Sequence, residues 1–582
     1  MRFLVFARVG ARLCSLSPSV DLPPAQRSWP SLIRPLVYFC PLLVPLASHS
    51  ALAEPTPPLA WSDIWSGPGG HDDESRAIAV EPGGAVYVGG STYDNSPGVH
   101  RNDYFLHRYS ADGTLEWTRF LDPETSNVLT AIVASPGRVV VTGTSGQLGS
   151  SLVTVAFDDA GNLLWEDHVP LTGTQFISYP PTMTRDDDGN LVVAAHSAGD
   201  YLVVKYAPTG QLLWTASYDG PAGDDDFAAD VAADTAGNVY VTGLVTNASQ
   251  FDPAFVTVKF DADGVFQWEQ AEEGDFGSVF EYVSLEIGPD DAPVMTGSGE
   301  STCGLFQVRV WKCDPVDGTQ LWLASFPPDP CGSVTPAGMG IDTDGSIYVA
   351  ASGGVDGLNG LFHTLKYASD GTTIWQRSWG WAETTSNVAR AITMDGAGNV
   401  YIAGETAPTP QDRDYVAVKY SPAGEELWEF RWPDPQGTVA RVGGTAVSNT
   451  GDVFITGYVY DPVQQFDAAT LCLRQQDPAD VFPSEAMNER PRLGLGVTQN
   501  PIREDVLVRY ELSLGGAAGI GIYDTAGRLV WNRGTGVQSA GQYEVRWDGT
   551  GVDGASLPSG VYYVRLTTAR EGASTIAVRL LR

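Results

Sequence analysis

Short runs of alternating apolar and polar residues recur along most of this chain, separated by clusters of Gly, Asp, Asn and Ser. Period-two alternation predicts half-buried strands, and the clusters predict turns between them. One recurring run reads Gly-Asn-Val-Tyr-Val-Thr-Gly (237–243), Gly-Asn-Val-Tyr-Ile-Ala-Gly (398–404) and Gly-Asp-Val-Phe-Ile-Thr-Gly (451–457). A second reads Tyr-Leu-Val-Val-Lys-Tyr (201–206) and Tyr-Val-Ala-Val-Lys-Tyr (415–420). A third pattern, Gly-x-x-x-Trp, ends each unit, at Trp117, Trp165, Trp214, Trp268, Trp322, Trp375 and Trp428. With a preceding apolar strand, such as 76–80 or 390–394, each unit holds four short strands and repeats about every 52 residues.

That period and strand count predict the blades of a β-propeller. A lone four-stranded sheet leaves both faces exposed, so blades must stack around an axis with Trp and Tyr filling the layers between them. The second strand of the unit begins eight times, near Val86, Val139, Leu191, Val239, Val294, Ile347, Val400 and Val453, yet Gly-x-x-x-Trp occurs only seven times. The eighth unit stops at Leu473-Arg474. The absent strand is expected at the N-terminal end, where Trp61, Trp65 and Gly67-Pro68 match Trp214, Tyr218 and Gly220-Pro221 at the same offsets. The fold class is therefore all-β, an eight-bladed propeller over 54–475 closed by a strand at about 58–66.

The motifs Asp234–Gly243 and Lys205–Trp214 resemble the bacterial β-propeller repeat often called SBBP, over about residues 58–475. The second and fifth repeats depart from it: Gly137-Arg138 replaces Gly-Asn in the second, and Ala292-Pro293 interrupts the fifth. The resemblance implies fold more than reaction.

Pro and Gly interrupt the strand pattern over 476–496, a linker composition. Strands resume at 506–512, 519–523, 528–532, 542–547, 560–567 and 576–580, the spacing of a small β-sandwich over 497–582. Within it, Asn500-Pro501, Ile522-Tyr523-Asp524, Trp547-Asp548-Gly549 and Ser559-Gly560-Val561-Tyr562-Tyr563 resemble the Ig-like domain of the flagellar hook-capping protein and the related type IX secretion sorting domains. The resemblance implies export, surface retention or attachment, with secretion machinery as partner of this module.

Composition narrows the setting. Arg2, Arg8, Arg12, Arg27 and Arg34 precede an apolar run at 36–46 and then Ala51-Leu52-Ala53, the pattern of a secretory signal peptide over 1–53. No later segment is apolar enough to span a bilayer, so a secreted or outer-surface location is expected. The formal charge is −36, and Lys and Arg together number 34 against 70 Asp and Glu. Such acidity excludes nucleic acid as the main partner. The partner expected of the propeller is an extracellular protein or glycan.

Candidate chemistry is sparse. No phosphate loop, Gly-x-Ser-x-Gly elbow or Cys-x-x-Cys pair occurs. Cys303 and Cys331 fall at the same edge of blade 5, at opposite ends of its outer hairpin, and form the candidate disulfide. Acidic loops leading to innermost strands include Asp72, Asp73, Asp224, Asp225 and Asp226, whose oxygens would suit Ca²⁺; the plainer reading is a solvated acidic rim, and no other cofactor is expected. Lys205, Lys259, Lys366 and Lys419 share one repeat position, read as a structural salt bridge. The whole reads as a non-enzymatic exported protein: a propeller platform with a sorting module. The alternative is a propeller enzyme with a channel-face site, a quinoprotein-like dehydrogenase or glycan hydrolase.

Overall fold

The computed structural model describes residues 56–475 and 495–582 except 68–71, 95–100, 122–126, 147–150, 173–179, 222, 224, 247–253, 273–282, 301–304, 328–332, 355–359, 382–385, 410–411, 434–438, 462–464, 498–501, 503–505, 513–515, 524–527, 539–540, 553 and 569–571. The expected signal peptide and most of the linker lie outside them. The described residues form strands and turns, and among them no helix is long and apolar enough to cross a membrane.

Residues 59–473 fold into eight four-stranded antiparallel sheets. Blades 1 to 7 are consecutive, at 73–121, 127–170, 182–218, 226–272, 283–326, 333–379 and 386–432. Blade 8 takes three strands from 440–473 and its fourth from Leu59–Trp65, which pairs antiparallel with Gln465–Leu473. The second strands begin within one residue of the positions expected from the repeats.

Eight apolar clusters bury the sheets, each shared by two neighbouring blades. Tyr87 and Leu106 meet Val139 and Val155 between blades 1 and 2. Phe454 and Cys472 meet Val86 and Phe105 between blades 8 and 1, so the layer that closes the ring is built like the others. In each blade the second and third strands are the most buried, because both their faces are covered by neighbours. The first strands lie at the inner edges of the sheets. Most carry a bulge five residues before the turn that follows, at Arg76, Thr130, Ala229, Ala337, Arg390 and Gly443.

The C-terminal module is a two-sheet sandwich. Leu495–Val497, Val506–Leu512 and Gly541–Trp547 form one sheet; Leu529–Gln538, Gly516–Tyr523, Gly560–Thr568 and Gly572–Leu580 form the other. Its core, centred on Trp547, Ile522, Val564 and Leu580, is drawn entirely from 502–580.

Candidate functional site

The residue facing the rim Trp across the outer hairpin is Arg108, Ala156, Lys205, Lys259, Lys312, Lys366, Lys419 or Cys472 in blades 1 to 8. All five lysines of the chain therefore occupy one repeat position; the sequence reading placed four there and missed Lys312. The lysines at 205, 312, 366 and 419 are buried. Their partners come from the turn after the first strand: Lys205 meets Asp186 at 2.9 Å, Lys312 meets Asp290 at 2.7 Å, and Lys259 and Lys366 lie 4.0 Å from Asp234 and Asp342. In blade 1 Arg108 lies 3.9 Å from Glu81. In blades 2 and 8 the cation is replaced by Ala156 and Cys472, and the equivalent turn residues are Ser135 and Ser448. Cation and carboxylate disappear together, as expected if each would be an uncompensated buried charge without the other. The expectation of a structural salt bridge at this position is met in the geometry.

The same lysines also tie blade to blade. Lys259 Nζ donates to the Pro315 carbonyl at 2.6 Å, and the Trp268 indole N–H donates to that oxygen at 3.3 Å. Lys366 and Trp375 converge likewise on the Pro422 carbonyl. Under six rim Trp rings, those of Trp61, Trp165, Trp214, Trp268, Trp322 and Trp375, lies the glycine of the next blade's turn. At Gly113, with φ +86°, a Cβ would stand 2.4 Å from the Trp61 ring, so both the backbone conformation and the ring contact require glycine. Among the described residues, three rim indoles, Trp61, Trp165 and Trp428, have no acceptor. Arg474 takes the Ala111 carbonyl beside Trp61, and Arg138 takes the Pro208 carbonyl beside Trp165.

The acidic candidates separate. Asp224 lies outside the described residues. Asp73 and Asp226 are buried at equivalent positions, and each carboxylate closes the loop entering its blade: Asp73 accepts from the Gly67 amide at 2.5 Å, Asp226 from Gly220 at 2.6 Å and Thr246 at 3.2 Å. Burial raises both to about 6. Asp72 is exposed and accepts from the Phe466 amide at 3.0 Å, and Asp225 is exposed beside it in the chain to Asp226. Among the described residues no group of three or more His, Cys, Asp or Glu has the arrangement of a metal site. Cys303 and Cys331 also lie outside the described residues. Cys313 ends the third strand of blade 5 and is buried and free, as is Cys472. His107 is buried beside Trp65 and Phe105, which pushes it down to about 3; its Nδ1 pairs with the Thr118 hydroxyl at 2.9 Å.

One carboxylate pair was not legible as a site. Asp230, on the first strand of blade 4, accepts from the Leu285 amide of blade 5 at 2.9 Å and the Thr182 hydroxyl of blade 3 at 3.3 Å, joining three blades at the inner edge of the ring. Glu286 follows on the first strand of blade 5. Its residue is exposed at the surface of the sheet, and desolvation by the surrounding protein, with the charge of Asp230 added, raises its carboxyl to about 8. Asp230 is itself raised to about 6 by burial. A carboxyl that is protonated near neutral pH can donate a proton or a hydrogen bond. Its only sequence signal is a departure from the repeat: alanine, valine, threonine or glycine fills the position of Glu286 in the other blades.

Residues 508–572 match the family model of the FlgD Ig-like domain. Residues 50–296 match the model described as outer membrane protein assembly factor BamB. The fold is similar to that of quinohemoprotein alcohol dehydrogenase from Comamonas testosteroni, at 14% identity over 76% of this chain and 79% of that one, TM-score 0.44. It is also similar to PorZ, a bacterial surface component of the type IX secretion system of Porphyromonas gingivalis, at 14% identity over 87% and 70%, TM-score 0.36. The β-propeller domain of the Trilobed protease from Pyrococcus furiosus is 9% identical over 61% and 96%, TM-score 0.37. No curated protein matches the chain.

Proposed function

We propose that this protein is a non-enzymatic scaffold of the bacterial envelope or cell surface, with the propeller as recognition platform and the Ig-like module as its sorting or attachment unit. The observation that carries the reading is where the charged repeat residues are spent. Lys205 and Lys259 donate to carbonyls of the next blade, Lys312 is taken up by Asp290 of its own blade, and Asp73 and Asp226 hold their entry loops, so the ring is built for rigidity. The match to the FlgD Ig-like domain, and the assembly factor named by the model matching 50–296, support an envelope setting. The recognition surface of a rigid ring lies on its loops and inner edge.

The place of Glu286 on the first strand of blade 5, where the other blades carry small or apolar residues, favours a second reading, in which its carboxyl acts as a general acid on a bound small molecule. One experiment separates the two. A photo-crosslinker at position 286 of the full-length protein, in its own host, should capture one envelope or extracellular macromolecule saturably. A bound absorbing cofactor, or glycan or alcohol turnover abolished by Glu286→Gln, would overturn the scaffold reading in favour of the enzyme.

A further inference from the structure

The fourth strand of blade 8 differs from every other rim strand in its connection. In blades 1 to 7 it follows the third strand through a tight turn, as at Ser110–Gly113. In blade 8 it arrives from the opposite end of the propeller sequence. Leu59–Trp65 is joined covalently to blade 1, through residues 66–72, and joined to blade 8 only by non-covalent contacts.

Those contacts make a shaped receptor. The ladder runs from Leu59↔Leu473 to Trp65↔Ala468. Trp61 stacks on Tyr109 with centroids 5.4 Å apart, lies 6.0 Å from Phe454 and covers Gly113. Trp65 fits between Phe105 and His107 at 4.8 and 4.5 Å. Asp63 accepts from the Tyr109 hydroxyl at 2.8 Å. At the strand's beginning, the Arg474 amide donates to the Pro58 carbonyl at 3.2 Å. The Trp61 indole N–H, like those of Trp165 and Trp428, has no acceptor among the described residues.

We infer that the outer edge of blade 8 is a strand-acceptor site, filled in cis by residues 59–65 and open to the same segment of a second copy of this chain. The occupant is a second copy, since its strand would meet every contact above and only the connecting residues 66–72 would run between the copies. That connector reads Ser-Gly-Pro-Gly-Gly-His-Asp, rich in the residue that resists a fixed backbone conformation. A short connector holds the strand at an effective concentration in the millimolar range, so dilute protein closes on itself, while crowding or co-anchoring of copies favours the exchanged pair.

Cysteine pairing across the register partners Ile64 and Ala469 tests this in the full-length chain. Antiparallel partners stand about 4.5–5.5 Å apart at Cα, within disulfide range. A chain carrying both Ile64→Cys and Ala469→Cys should form the intrachain bond on mild oxidation, which verifies the geometry and the fold of the variants. Two chains carrying one substitution each are then mixed, partly unfolded and refolded together. The expected result is a crossed disulfide, from position 64 of one copy to position 469 of the other, mapped by peptide mass, whose yield rises with protein concentration. An intrachain control that closes while the mixed chains give no crossed bond from 1 to 100 μM, on the order of the range below that effective concentration, overturns the proposal.

Discussion

Gln475 Oε1 accepts from Lys419 Nζ at 2.6 Å, in the place where the main-chain carbonyls of Pro315 and Pro422 serve Lys259 and Lys366. Blade 8 has no turn after its third strand, because the chain leaves the ring there, and a side chain substitutes for the lost carbonyl. Gln475 also donates to the Tyr401 hydroxyl at 2.7 Å and the Gly451 carbonyl at 2.6 Å. Replacing Gln475 by Ala should therefore lower the stability of the propeller by about 1–3 kcal/mol, since a buried ammonium loses an acceptor. Gln475→Glu should retain most of it. Urea unfolding of the full chain, followed through the rim tryptophans, checks both; equal midpoints for Ala and wild type would refute the latch.

Trp61 is expected to carry a large share of ring closure. Trp61→Ala empties the layer over Gly113 and should cost about 3–5 kcal/mol, with Trp61→Phe recovering part of it. Deleting 54–66 should cost at least as much, because it also bares the edge of blade 8. An unchanged melting temperature on deletion would show that the ring does not depend on its clasp.

The architecture was legible because its causes are local and repeated. Alternation gave the strands, Gly and Asp gave the turns, and the offset match of Trp61 to Trp214 located the missing strand of blade 8. Site chemistry was less legible, because it depends on what the repeat brings together across blades. Asp73 and Asp226 look like free acids in a loop, yet their roles are set by the amides of Gly67 and Gly220 six residues earlier. Lys312 was missed because its blade departs from the turn motif, with Asp290 rather than an Asp two residues earlier as its partner. Glu286 could be noticed only as an exception to the repeat.

The joint loss of cation and carboxylate in blade 2 predicts a coupled pair. Ala156→Lys alone should destabilise the propeller by about 3–5 kcal/mol, as an uncompensated buried charge. Adding Ser135→Asp should restore about 1–3 kcal/mol, read as the interaction energy of a double-mutant cycle on unfolding free energies. Additive effects would show that blade 2 cannot host the pair its neighbours use.

Asp226 gives a pH signature. Its carboxyl is raised by burial from 3.8 to about 6, so the folded state holds the proton more tightly than the unfolded chain. The burial penalty is then absent below about pH 4, grows between about 4 and 6, and is complete above 6. Asp226→Asn keeps an acceptor for Gly220 without the charge and gives up the one for Thr246, a loss that does not vary with pH. Its stability relative to wild type should rise by about 1 kcal/mol from pH 4 to pH 7.5, allowing for screening. Asp226→Ala should be destabilised at every pH, because the Gly220 and Thr246 amides lose their acceptor. Unfolding midpoints of the three proteins across pH 4–8 check the sign.

The Ig-like module should govern location independently of the ring. Its core of Trp547, Tyr510, Ile522, Val564 and Leu580 contains no residue of the propeller. The propeller is completed by Leu59–Trp65 and closed at its exit by Gln475, so it takes nothing from 497–582 to finish a blade. Between them, 476–496 has the Pro-rich composition of a linker. At about 85 residues a sandwich of this kind can bury enough surface to fold alone. A chain ending at residue 485 should therefore fold and be exported, yet fail to reach the outer surface or the medium. Residues 497–582 fused to an exported reporter should redirect that reporter. Fractionation and protease accessibility on intact cells report both. If the truncated chain localises as the full-length protein does, 497–582 is a spacer or binding domain, and attachment must be sought on the propeller itself.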